Sequence, residues 1–107
     1  MHPPIQANDF DGLPGATAIR AGLEDLAAGR ESVESLLIQI GAPRLSWLGV
    51  ILPSSPNVNA DRQLYQLLSL QHGNEAHSQF NGLIRQLVSF VRALERRLFA
   101  RQRALTP

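Results

Sequence analysis

The chain has no cysteine, no lysine and no stretch approaching the roughly 20 apolar residues that a membrane-spanning helix needs. Without thiols, disulfides, thiolate metal ligands and a cysteine nucleophile are excluded. Small secreted domains of this size more often carry disulfide staples, so a reducing, cytoplasmic setting is expected. All ten basic residues are arginines, whose planar forks suit carboxylate and phosphate better than a point charge does. The opening "MHPPIQANDFDG" has neither the basic nor the apolar region of a signal peptide, and a soluble protein with no membrane partner is expected. Period-two alternation of apolar and polar residues is also missing, which argues against a sheet.

What is present is ordinary globular material. Apolar residues make up 44% of the 107 positions and charged residues 18%, far from the composition of a disordered chain and enough for one modest core. The net charge of +1 gives no general attraction to nucleic acid or anionic lipid. Its distribution is less even. Residues 1–61 carry seven carboxylates against three arginines, a balance of −4, whereas residues 82–107 carry six arginines against Glu95, a balance of +5.

Residues 1–14, with three prolines and no apolar period, read as an irregular N-terminal arm ahead of a single helical domain over 15–107. Ile19, Leu23 and Leu26 at helical spacing predict a helix from Ala16 to Ala28, with Gly29 as its stop. Ser32 caps a second helix striped by Val33, Leu36, Leu37 and Ile40 and ended by Gly41. Pro43, in a favoured first-turn position, opens a short third helix that buries Leu45, Trp47 and Leu48 before Gly49. "VILPSSPNVN" is a connecting loop. Asn59 caps a fourth helix bearing Leu64, Leu67 and Leu68. From Glu75 to about Ala104 no proline intervenes, and Phe80, Ile84, Leu87, Val91, Leu94 and Leu98 recur in steps of four and three. The expected fold is all-α, a small bundle of four shorter helices on one long C-terminal helix over about 75–104. A rod of that length outruns so small a core, leaving its last turns, with Phe99 and Leu105, for a partner to cover.

Three candidate sites follow. "HGNEAHSQFN" gathers His72, Glu75 and His77, which could form a metal or acid/base site. Their spacing matches no helical two-histidine motif, however, and a partly buried His77 held by Asn81 explains the residues as architecture. On the long helix, 100° per residue brings Arg85, Arg92, Arg96 and Arg103 within roughly 40° of one another, a row along one edge of the apolar face, while Arg97 and Arg101 fall off it. Such a row suits an acidic protein surface or a phosphate backbone. "VESLLIQIGAPRLSWLG" has the outline of a helix-turn-helix, but its second helix offers a groove only Arg44 and Ser46.

No nucleophile elbow and no phosphate-binding glycine loop with lysine occurs, so no catalytic activity and no cofactor are expected. The leading expectation is an interaction or oligomerisation module that uses Arg85, Arg92, Arg96, Arg103 and Phe99 against a second copy or an acidic partner. Nucleic-acid binding through the same row is the alternative, and a site at His72, Glu75 and His77 is the second.

Overall fold

The computed structural model describes residues 5, 7–53 and 57–105. The elements are α1 (Ala16–Ala27), α2 (Val33–Trp47), α3 (Ala60–His72) and α4 (Ala76–Leu105), with short 3-10 turns at Ala7–Phe10 and Gly73–Glu75. No strand occurs among the described residues. The chain is all-α, as expected, but three shorter helices pack on the long one, not four.

The difference lies in α2, which continues through Gly41, Ala42 and Pro43 to Trp47. An interior proline costs roughly 3 kcal/mol of helix stability. Continuing the helix, however, carries the stripe of Ile38 and Gly41 on to Leu45 and Leu48, both wholly buried. Burying a leucine is worth about 1.5–3 kcal/mol, so two of them outweigh the proline. Gly41 is therefore a contact and not a stop: a Cβ there would lie 2.9 Å from Leu87 Cδ1. The continuity also removes the turn that a helix-turn-helix would need. Trp47, two residues on from Leu45 and so roughly 200° round the helix, is 57% exposed instead of buried. The Arg44 guanidinium covers its ring at 4.8 Å from the centroid and also pairs with Glu95 of α4.

α1 lies antiparallel against α2 at unusually close range. A Cβ at Gly22 would fall 2.5 Å from the Glu34 carbonyl oxygen, so only glycine fits between the two helices. Their junction is held by Ser32. Its Oγ accepts from the Ser35 N–H at 3.1 Å, and Ser35 Oγ accepts from the Ser32 N–H at 2.8 Å, a reciprocal capping box. The same Ser32 hydroxyl donates to Asp25 at 2.6 Å.

α3 ends at Gly73, whose φ of +58° makes the turn into α4. α4 contributes Leu87, Phe90, Val91, Leu94 and Leu98 to the core, where they meet Ile19, Leu36, Leu37, Leu64 and Leu68 of the shorter helices. Phe80 and Ile84 of the expected seam are half-buried. The molecule measures 54 Å along its longest axis, against roughly 45 Å for a helix of thirty residues.

Part of the stretch expected to be an irregular arm belongs to the core. Phe10 and Leu13 are buried, and the Phe10 ring meets Phe90 edge to face at 5.1 Å. Residues 1–4 and 6 of that arm, 54–56 of the connecting loop, 106–107, and the side chain of Leu105 lie outside the described residues.

Candidate functional site

The six arginines of α4 divide into two groups. Arg97 and Arg101, which the helical wheel places off the row, hold the N-terminal turn. Arg97 Nη1 donates to the carbonyl oxygens of Asp9 and Asp11 at 2.9 and 2.6 Å. Arg101 Nη1 donates to both carboxylate oxygens of Asp9 at 2.8 and 2.9 Å. Helix α4 is thus covered as far as Arg101, further than its length against a small core suggested.

Arg85, Arg92, Arg96 and Arg103 are exposed, and none forms an ion pair with a described residue. Arg85 Nε donates to the Asn81 carbonyl at 3.4 Å. Phe99 stands in the same line, three residues after Arg96 and four before Arg103, and is 44% exposed. Beside the row, Arg92 and Arg96 rim a shallow hollow of about 440 Å3 with Pro14, Ser89 and Ala93. Glu95, the one acid of residues 82–107, is taken up by an ion pair with Arg44 of α2. The result is a strip of cations carrying one aromatic ring, all on one side of a rigid helix. Each guanidinium fork of such a strip can receive the two oxygens of one carboxylate, in bidentate geometry.

The polar junction is arranged differently. His72, Glu75 and His77 are all exposed, and no group of three histidine, aspartate or glutamate side chains able to hold a metal ion occurs among the described residues. His77 was expected to be partly buried. Ala76 takes the buried position instead, and His77 faces solvent with its Nε2 3.2 Å from Asn81 Nδ2. The Tyr65 ring packs beside both His77 and Phe80, at centroid distances of 6.4 and 5.7 Å. The residues that join α3 to α4 share one local cluster, but three ligands do not converge in it.

Asp9, and with it the role of Arg97 and Arg101, is not legible in the sequence. Nothing local announces a pair 92 positions apart. The one available hint is that these two arginines break the row.

No family model, no curated protein and no solved structure matches this chain.

Proposed function

We propose that this chain is a protein–protein interaction module. Its working surface is the strip of Arg85, Arg92, Arg96, Phe99 and Arg103, and its partner is an acidic protein surface. The observation that supports the reading is the division among the α4 arginines. Two are engaged by the N-terminal turn, and the four on the row form no ion pair with a described residue. Arginine forks recognise carboxylates in a fixed geometry, and exposed charges of this kind set on-rate and salt dependence more than final affinity.

An immobilised acidic polypeptide, with duplex DNA as the competing probe, tests the reading. The chain is expected to be retained on polyglutamate at low salt and released as salt rises. Arg92→Glu/Arg96→Glu is expected to abolish retention with an unchanged unfolding midpoint, because exposed positions away from special contacts alter stability by only about 0.5 kcal/mol. Failure to bind polyglutamate would sink the proposal. Preference for DNA, with affinity falling steeply with salt, would move the reading to nucleic acid.

A further inference from the structure

A second surface is built where α2 hands over to α3, and the arginine row makes no use of it. Ile40 and Pro43 of α2, with Val50 and Leu52 of the loop, line a cleft of about 990 Å3 that extends to Asp61 in the first turn of α3. At its lips Ile51 and Val58 are 92% and 90% exposed. Two aliphatic side chains held open beside an apolar cleft mark an interaction surface rather than stray surface residues. The cleft is pinned on its polar side. Asn57 Nδ2 donates to Gln39 Oε1 at 3.1 Å and to Gln63 Oε1 at 2.8 Å, and Asn57 Oδ1 accepts from the Asn59 N–H at 3.0 Å. Loop, α2 and α3 are thereby tied together without a ligand.

We infer that this cleft receives the C-terminal turns of α4 from a second copy of the chain, with Phe99 entering it and Arg96 or Arg103 meeting Asp61. Copies then join head to tail. The inference rests on the reading of α4 as an interaction surface and names the partner. Shape and charge both favour this occupant. Arg96, Phe99 and Arg103 follow one another in steps of three and four, so an aromatic ring is presented between two cations on a single face. Among the described residues lining the cleft Asp61 alone is charged, and it forms no ion pair with a described residue. Cleft-to-cleft pairing about a two-fold axis would turn Asp61 toward its own copy, setting like charges against each other. Head-to-tail pairing instead sets Asp61 of one copy against Arg96 or Arg103 of the next, so opposite charges meet. Donor and acceptor surfaces differ, so the contact is heterologous and extends to a chain or ring.

Light scattering on the full chain across the micromolar range tests this, using two charge-bearing variants. Ile51→Asp/Val58→Asp disables the cleft at positions that are almost fully exposed, and Phe99→Asp/Arg103→Glu disables the helix end. Wild type is expected to grow past a dimer as concentration rises. Each variant alone is expected to be monomeric, and a 1:1 mixture is expected to stop at a dimer, because only one working cleft and one working end remain. Arg103→Glu alone, which removes no apolar contact, is expected to weaken association by about tenfold. A mixture that stays monomeric, or a helix-end variant that still dimerises through its cleft, overturns the head-to-tail arrangement. If wild type is monomeric at every concentration, the inference fails. Retention of that monomer on polyglutamate would leave the module reading intact, and loss of retention as well would take both down.

Discussion

Ser32 shows how much one hydroxyl can organise. It accepts the Ser35 N–H, which starts α2, and it donates to Asp25, which binds the end of α1 to that start. Arg30 lies 3.0 Å from the same carboxylate. The Ser32 hydrogen bond, then that of Arg30, hold the Asp25 carboxyl below the usual carboxylate range, against a smaller upward push from burial. A depressed folded-state value stabilises the fold above the ordinary aspartate range, near pH 4, and the contribution disappears as pH falls through the lowered value. Ser32→Ala should therefore cost about 1 kcal/mol at neutral pH through the lost cap. It should also let Asp25 titrate closer to its ordinary range, so the cost shrinks in acid. Carboxyl-carbon NMR of Asp25 together with urea unfolding at neutral and acid pH checks both parts, and an Asp25 titration unmoved by the substitution would remove the proposed linkage.

At the scale of elements, two interior glycines that look alike in the sequence behave differently. Gly22 faces backbone: an added methyl would sit 2.5 Å from the Glu34 carbonyl oxygen and equally close to Ile38 Cγ1. Gly41 faces the end of a flexible side chain, Leu87, at 2.9 Å. Alanine is intrinsically better than glycine inside a helix by roughly 1 kcal/mol, so the sign of each substitution depends on whether the neighbour can yield. Gly22→Ala should destabilise by about 2–3 kcal/mol, since α1 has to retreat from α2. Gly41→Ala should stay within about 1 kcal/mol of wild type, as the Leu87 methyls can turn aside. Equal urea midpoints for the two variants would contradict the distinction. The same region shows where the sequence is legible. The boundaries of α1, α3 and α4 follow from periodicity and from glycine or asparagine punctuation, because each of these helices has one apolar face. α2 is wrapped on several sides and has Leu36, Leu37 and Ile38 buried in succession, so its periodicity is blurred. Gly41-Ala42-Pro43 then reads as a break. Steps of three, four and three through Ile38, Gly41, Leu45 and Leu48 carry the phase across it, and that is the signal that identifies one helix.

Over the whole molecule, the charge pattern separates what local rules reveal from what they do not. The exposed row on α4 follows from 100° per residue alone, and the structure keeps all four of its arginines at the surface. The clamp that joins the two ends of the fold needs the tertiary structure, since Asp9 and Arg101 share no local pattern. That clamp is imperfect in a specific way. A single nitrogen, Nη1, serves both Asp9 oxygens, while Nε and Nη2 of Arg101 are buried with no hydrogen-bond partner among the described residues. The exposures are 10% for the Asp9 side chain and 29% for Arg101, so the pair is desolvated enough for its loss to matter. Removing one member of a well-buried pair costs about 3–5 kcal/mol because a charge is left behind, and the partial exposure of Arg101 lowers the expectation for Asp9→Ala to about 2–3 kcal/mol. Replacing both members with apolar residues, as in Asp9→Leu/Arg101→Met, abolishes the stranded charge. The double variant should recover most of that stability, since Arg97 still holds the carbonyls of Asp9 and Asp11 and Phe10 still packs on Phe90. Urea unfolding at neutral pH measures the two costs, and hydrogen exchange over residues 9–13 shows whether the turn stays docked. A double variant as unstable as the single one would mean that the ion pair itself, rather than the apolar contact of Phe10, fixes the N-terminal turn to the long helix.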